Sequence, residues 1–331
     1  MSEKQTRLIP LVKAGFYIIF FVASKQSVAS GFDDSCALEM FKHADSTLTI
    51  ADVRKRCQRS DQATLEQATL EQATLVEVRK EREKELVGDE FSIFLHRDNY
   101  LLPYTHNSEM GVTVDDFGEA REIDSEEIKF QISLRSLLLN DLPFKGQLYA
   151  AYTNQSHWQA YNTENSRPFR ETNHQPELFV DFPVNKKIRG MTLNTFRLAL
   201  NHQSNGRSGV ISRSWNRLYA ELLMSTKYSQ INLRSWWKVT DDEDNPDIQD
   251  FLGRFQVDGL RKLGKHQFHW KARHNLQADG KGAIELGWSR AIGGREDVRM
   301  YLQYFNGYGE SLIDYNRKTE RVGLGFKIGA Q

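Results

Sequence analysis

The sequence predicts an all-β protein, a twelve-stranded antiparallel transmembrane β-barrel with a polar, partly helical N-terminal extension. From about residue 90 onward, segments of roughly 9–13 residues alternate between apolar and polar positions, with turns rich in Gly, Asn, Asp and Ser between them. These segments number about twelve, and bacterial barrels have an even number of strands. The N-terminus has the pattern of an export signal.

The export signal is predicted to span residues 1–30. Lys4, Arg7 and Lys13 precede an apolar core at 14–23, and small residues at 28–30 provide a cleavage site. An uncleaved anchor is the alternative. No later segment has the roughly 18 consecutive apolar residues that a membrane-spanning helix needs.

Residues 31–88 are predicted to form a periplasmic extension. It contains the repeat Glu-Gln-Ala-Thr-Leu at 66–70 and 71–75, whose composition favours a helix, and we assign it no chemistry. Export to an oxidising compartment permits a disulfide between Cys36 and Cys57, and the sequence leaves this pairing open. Two cysteines without clustered histidines do not make a zinc site.

The overall composition does not distinguish between the main classes of β protein. The 44 basic and 44 acidic residues balance, so charge gives no argument for nucleic acid as a partner. A mean hydropathy of −0.59 with 19 Phe, 12 Tyr and 6 Trp suits a soluble β protein and a membrane barrel equally.

Residues 89–331 are predicted to form the barrel. A soluble sandwich would have shorter strands, and barrel closure removes the exposed edges of a twelve-stranded sheet. With both chain ends on the periplasmic side, the fifth strand finishes near the external surface. The strands are expected near 91–103, 126–138, 145–157, 174–184, 191–204, 212–224, 228–239, 251–261, 265–275, 281–290, 296–306 and 319–329.

One predicted hairpin combines the residues of a serine hydrolase. Because strand residues two apart share a face, His202 and Ser204 lie on the apolar side of the fifth strand, roughly 6.8 Å apart between Cα atoms. Asn216 lies on the apolar face of the returning strand. If it pairs with His202, Gly209 is at the centre of the turn. Serine needs a base, and the base needs an orienting group. A neutral amide is less costly than a carboxylate to place against lipid.

The turn between these strands offers oxygen ligands of the kind that calcium prefers. It contains Asn205-Gly-Arg-Ser-Gly-Val-Ile-Ser212 and no acidic residue, so on composition alone a solvated turn is the alternative.

Several stretches resemble the bacterial outer-membrane phospholipase A family. They cover the chain in order from about residue 90 to the end and comprise Pro168–Asn173, Asn201–Ser208, Ser212–Tyr219, Asp244–Ile248 and Gly307–Tyr315. The resemblance implies a twelve-stranded outer-membrane barrel and a calcium-dependent hydrolase of acyl esters, at sn-1 and sn-2, in phospholipids and lysophospholipids. It also implies activation by formation of a homodimer, with the active site facing the outer leaflet.

The resemblance assigns roles to particular residues. Ser204 would be the nucleophile, His202 the general base and Asn216 the orienting residue, and the backbone N–H of Gly206 would assist at the oxyanion. Calcium would be bound by the Arg207 carbonyl and by the hydroxyls of Ser212 and, from a second subunit, Ser166.

This chain departs from the family pattern at four positions. Asn154 replaces a frequent glutamine, His174 a frequent aromatic residue near the substrate groove, and Gly209 a frequent acidic residue, which puts a secondary calcium site in doubt. The chain ends in Gln331 instead of the usual Phe. Two rival functions remain at this stage, a non-catalytic pore or structural barrel and a soluble exported esterase.

Overall fold

The computed structural model describes residues 36, 38–39, 42, 49, 51–57, 73–86, 92–109, 112–114, 120–165, 167–239 and 243–329. The predicted signal peptide and the repeat up to residue 72 lie outside the described residues. The chain divides into two compact units, Met1–Gln67 and Ala68–Gln331.

The first unit contains a disulfide between Cys36 and Cys57, whose Cα atoms are 5.8 Å apart. Cys57 ends a short helix at 51–57. The Thr49 hydroxyl accepts a hydrogen bond from the Asp52 backbone N–H, while the Asp52 carboxylate accepts from the backbone N–H of Thr49, which caps this helix. Hydrogen bonds from Thr49 also hold the pKa of Asp52 below its ordinary value. Val53 and Cys57 are buried, so the disulfide lies in the small core of this unit.

The second unit consists mainly of β-strands. Among the described residues of this unit, the α-helices are α1 (Leu75–Leu86) and α2 (Ile248–Leu252). The strands are β1 (Ile93–Leu95), β2 (Asn99–Asn107), β3 (Val112–Val114), β4 (Ala120–Glu122), β5 (Glu126–Leu142), β6 (Gly146–Trp158), β7 (Phe169–Ile188), β8 (Met191–Ser204), β9 (Ser214–Ser225), β10 (Ser229–Lys238), β11 (Phe255–Leu263), β12 (His266–His274), β13 (Gly282–Ile292), β14 (Arg295–Tyr308) and β15 (Lys318–Ile328).

Twelve of these strands close into an antiparallel barrel. β2 pairs with β5, each strand from β5 to β15 pairs with the next, and β15 pairs back with β2. This confirms the predicted fold. β1 adds to the barrel by pairing with β5, and β3 and β4 form a separate two-stranded ribbon.

Several strand limits differ from the predicted ones by four or more residues, and two of these differences have a clear cause. The first barrel strand begins at Asn99 instead of residue 91, because the chain leaves the ladder between β1 and β2, and β1 pairs separately with a later part of β5. The predicted strand 251–261 begins only at Phe255, because the preceding residues form α2. Gly253, with a φ of 72°, ends that helix in a conformation that favours glycine.

The two faces of the barrel wall differ in polarity. Outward positions on the strands are largely apolar and exposed, whereas the interior holds buried charges in partnered clusters. The Glu127 carboxylate forms ion pairs with Arg170 Nε at 2.6 Å and with Arg321 Nη2 at 2.8 Å. The Glu310 carboxylate forms ion pairs with Arg321 Nε and Lys129 Nζ, each at 2.9 Å. Buried charges need such partners. The polar interior and apolar exterior are therefore the reverse of a soluble protein and suit a lipid surrounding.

Helix α1 is attached to the inner wall of the barrel. At its N-terminus the Glu77 carboxylate accepts the Thr74 backbone N–H at 2.8 Å, and the Thr74 hydroxyl accepts the Glu77 backbone N–H at 3.4 Å. Farther along, Lys80 Nζ donates to the Thr195 hydroxyl at 2.9 Å, and Arg135 Nη2 donates to both Glu83 oxygens at 2.7 Å. The polar sequence of this helix thus matches polar surroundings. No helix in the described part of the chain is long and apolar enough to span a bilayer.

Candidate active site

The predicted catalytic hairpin is formed by β8 and β9. His202 lies directly opposite Asn216, which is the register expected from the sequence, and Ser204 lies opposite Ser214 at the end of β8. The turn between the strands includes a short 3-10 turn at Gly209–Ile211. Ser204 and Asn216 are therefore brought to one end of the barrel wall, next to His202.

His202 and Asn216 are joined by a hydrogen bond of 2.8 Å between Nδ1 and Oδ1. A carboxamide oxygen only accepts, so the imidazole proton resides on Nδ1. The lone pair then lies on Nε2, which is free to accept the proton of a serine hydroxyl. This is the tautomer that a general base beside Ser204 requires.

The trio points away from the lumen. Their neighbours on the same face, Leu198, Leu200 and Leu218, are exposed, whereas Ala199 and Tyr219 on the opposite face are buried inside. Because successive strand residues alternate in direction, the imidazole, hydroxyl and carboxamide all lie on the outer surface of the barrel. The candidate catalytic groups thus lie on the lipid-facing surface.

The loop after Ser204 is organised by one amide side chain. Asn205 Nδ2 donates to the carbonyl of Ile211 at 2.8 Å, and its Oδ1 accepts the backbone N–H groups of Arg207 at 3.2 Å and Arg213 at 3.0 Å. Gly206 follows with a φ of 64°, a value that favours glycine. These bonds fix the path of the backbone immediately after the candidate nucleophile.

Three of the predicted oxyanion and calcium residues lie in this loop, namely Gly206, Arg207 and Ser212. The fourth, Ser166, lies outside the described residues. The described residues contain no group of three or more His, Cys, Asp or Glu side chains that could hold a metal. Any cation here would therefore rely on carbonyl and hydroxyl oxygens, which calcium accepts and softer metals disfavour.

A second loop supports the start of β9. Asn245 Oδ1 accepts the backbone N–H of Ser214 at 2.9 Å. Nearby, the Tyr315 hydroxyl donates to Asp247 Oδ1 at 2.5 Å. Burial, together with this bond, raises the pKa of Tyr315 to about 12. These contacts link the stretches 244–248 and 307–315 to the hairpin.

Sequence reasoning missed the residues that hold the site in place. Asn205 and Asn245 lie in stretches that carry the family resemblance, but no role was predicted for them, although an asparagine beside a loop glycine or proline often bonds the backbone. Tyr152, two strands away from Ser204 across the sheet, was not singled out at all. Its hydroxyl lies 2.6 Å from His174 Nδ1, a long-range contact that no local pattern reveals.

Comparison with known proteins agrees with this geometry. A family model described as Phospholipase A1 matches residues 76–328. Phospholipase A1 of Escherichia coli (strain K12) is 39% identical over 240 residues, which cover 72% of this chain and 82% of that protein. The phospholipase A1 of Klebsiella pneumoniae is 38% identical, also over 240 residues that cover 72% of this chain and 82% of that protein.

Solved structures give the same relationship. Outer membrane phospholipase A from Escherichia coli matches with a TM-score of 0.67 and 37% identity, covering 72% of this chain and 99% of that one. A Salmonella typhi outer membrane phospholipase, a dimer with bound calcium, matches with a TM-score of 0.66 and 35% identity, covering 72% and 93%. The chain, an outer-membrane β-barrel with an outward-facing His–Ser–Asn hairpin, therefore belongs to the phospholipase A1 family.

Proposed function

We propose that this protein is a calcium-dependent serine hydrolase of the outer leaflet of the outer membrane. Its substrates are the acyl esters, at sn-1 and sn-2, of phospholipids and lysophospholipids, and a homodimer is the active form. The observation that carries the proposal is the 2.8 Å bond from His202 to Asn216 on the outward face that also presents Ser204. Family membership supports the substrate class.

The first half of the reaction forms an acyl-enzyme. Ser204 Oγ attacks the ester carbonyl carbon while His202 Nε2 takes the hydroxyl proton. The Asn216 carbonyl oxygen accepts the Nδ1–H of the resulting imidazolium and keeps the ring in place. Collapse of the tetrahedral intermediate breaks the bond to the glycerol oxygen, which leaves with the proton from Nε2.

The second half regenerates the enzyme. A water molecule gives its proton to His202 Nε2 and attacks the acyl carbon, and the fatty acid leaves as Ser204 recovers its proton. In both halves negative charge develops on the carbonyl oxygen, and the backbone N–H of Gly206, two residues after Ser204, would donate to it. The glycine at this position has a φ of 64°, which directs the backbone without strain.

The loop residues fit calcium by their chemistry. The Arg207 carbonyl and the Ser212 hydroxyl are oxygen donors in a segment fixed by Asn205. Calcium takes about 6–8 oxygen ligands, so two from one chain leave a place for Ser166 of the partner subunit and for water. When bound, the cation would stabilise the charge that develops on the oxyanion. A ligand shared between subunits would make activity depend on dimerisation.

The outer surface near the hairpin supports both lipid access and pairing of two copies. Tyr152, Leu178, Leu200 and Leu218 project from neighbouring strands and are exposed. A continuous apolar surface of this kind suits acyl chains and a second barrel alike.

The rival functions fit less well. For a pore, the outward trio would be incidental and the charge clusters and α1 in the lumen would hinder passage. A soluble esterase would bury its apolar side chains, whereas here they face outward.

The deciding experiment measures fatty acid release from mixed phospholipids by detergent-purified protein. Ser204→Ala is expected to abolish release, whereas Ser235→Ala, at an exposed position on β10, retains it. Release should stop in excess chelator and return with calcium, and chemical cross-linking should show a dimer under the active condition. Persistent hydrolysis by Ser204→Ala would reject the nucleophile, and full activity in chelator would reject the calcium requirement.

A further inference from the structure

A second histidine lies beside the candidate nucleophile. His174 on β7 is directly opposite Ser204 on β8. Directly opposed residues in an antiparallel pair have Cβ atoms about 4.5–5.5 Å apart and share a face. The imidazole of His174 is therefore on the same outward surface as the trio, on the side of Ser204 away from β9.

The tautomer of His174 is set by Tyr152. The tyrosine hydroxyl lies 2.6 Å from His174 Nδ1, and the two rings stack with centroids 6.2 Å apart. A phenol is the better donor and an imidazole nitrogen the better acceptor, so the hydroxyl donates to Nδ1. The ring proton of His174 then resides on Nε2, the opposite tautomer to that of His202.

The proton-bearing edge of His174 faces the loop that follows Ser204. A side-chain carbon placed on Gly206 would lie 3.5 Å from His174 Cδ2 and 3.6 Å from Nε2. Gly206 is the residue whose backbone N–H is proposed to receive the oxyanion. The Nε2 edge of His174 thus lies beside Gly206, while the residue itself pairs with Ser204.

We propose that His174 is a catalytic residue that donates its Nε2–H to the carbonyl oxygen of the substrate as that oxygen becomes negative, with Tyr152 as the positioning residue that fixes its tautomer. This inference rests on the proposed function and assigns a further donor to the same site. The donated hydrogen bond is strengthened only in the transition state, because the ester carbonyl carries little charge before attack.

Three variants distinguish hydrogen-bond donation by His174 from packing of its ring. His174→Phe retains an aromatic ring in the outer surface and removes the donor, His174→Gln restores an N–H donor, and Tyr152→Phe removes only the hydroxyl. His266→Phe, at an outward position on β12 where His266 stacks on Trp288, is the matched control. All are purified in detergent and checked for barrel folding by circular dichroism.

Loss of one oxyanion donor lowers kcat by about 10²–10³-fold in a buried site, and about tenfold or more is expected here for the half-exposed His174→Phe. KM should stay unchanged, and the affinity for a long-chain alkylboronic acid, which forms a tetrahedral adduct on serine, should fall by the same factor as kcat. His174→Gln should recover most of the loss, and Tyr152→Phe should show a smaller loss with the same unchanged KM.

The outcomes distinguish this inference from the proposed function. If Ser204→Ala is inactive while His174→Phe keeps the wild-type kcat, the donor role is wrong and the hydrolase stands. A rise in KM alone would make His174 a lining residue of the acyl groove and would also overturn the donor role. If Ser204→Ala remains active, the proposed function fails and the inference fails with it.

Discussion

Replacing Asn216 tests the orienting role most directly. Asn216→Ala removes the acceptor of the 2.8 Å bond from His202 Nδ1 and leaves both backbone partners of β9 in place. A hydrogen bond to a charged group contributes about 1.5–3 kcal/mol, and the imidazole is charged in the transition state. Since about 1.4 kcal/mol corresponds to a factor of ten in rate, kcat should fall about 10- to 150-fold.

The assay is steady-state hydrolysis of an acyl ester in detergent micelles at saturating calcium. We expect the loss in kcat with little change in KM, because the amide acts through its bond to the imidazole. Asn216→Asp keeps an acceptor oxygen and should retain more activity than Asn216→Ala. Asn306→Ala, at an outward position on β14, is the matched control and should have no effect.

An unchanged kcat in Asn216→Ala would refute the reasoning, since another group would then be orienting His202. A loss as complete as that of Ser204→Ala, in a barrel that still folds, would also refute it. Such a loss would mean that Asn216 does more than hold the ring.

Three further predictions concern other parts of the molecule. Ser212→Ala should raise the calcium concentration for half-maximal hydrolysis severalfold in a calcium titration, and an unshifted curve would remove Ser212 from the ligand set. Glu127→Ala removes the carboxylate shared by Arg170 and Arg321, which keep Asp314 and Glu310 as partners, so the unfolding free energy in urea should fall by about 1.5–3 kcal/mol. An unchanged midpoint would contradict this. Cys57→Ser should leave kcat unchanged, because the disulfide lies in the first unit and the candidate catalytic residues in the second, and a fall in kcat would disprove that independence.

The sequence predicted the barrel and the hairpin well because both depend on a two-residue period. Alternation along β8 and β9 places His202 and Asn216 on the apolar face, and the glycine-containing turn sets their register. These are local properties that can be read from consecutive residues. The family resemblance then added the calcium ligands, which composition alone did not indicate.

Contacts between distant segments could not be predicted in the same way. The bond from Tyr152 to His174 depends on the pairing of β6 with β7, and the support of Ser214 by Asn245 depends on a loop that lies about thirty residues away along the chain. The attachment of α1 to the inner wall is another example. The sequence predicted only a helix in the periplasmic extension, whereas Glu83 of this helix bonds to Arg135 of β5.

The interior of the barrel keeps the outer site in register. Between the outward positions of β8 and β9, inward side chains form their own bonds: Trp215 Nε1 donates to Gln203 Oε1 at 3.0 Å, and Arg217 Nη2 donates to Gln203 Oε1 at 3.1 Å and to Asn201 Oδ1 at 2.5 Å. A slip of one residue between the strands would break these bonds and turn His202 and Asn216 to opposite faces. The lipid-facing surface offers few polar partners of its own, so the register of the candidate catalytic pair depends on polar contacts on the inner side of the barrel wall.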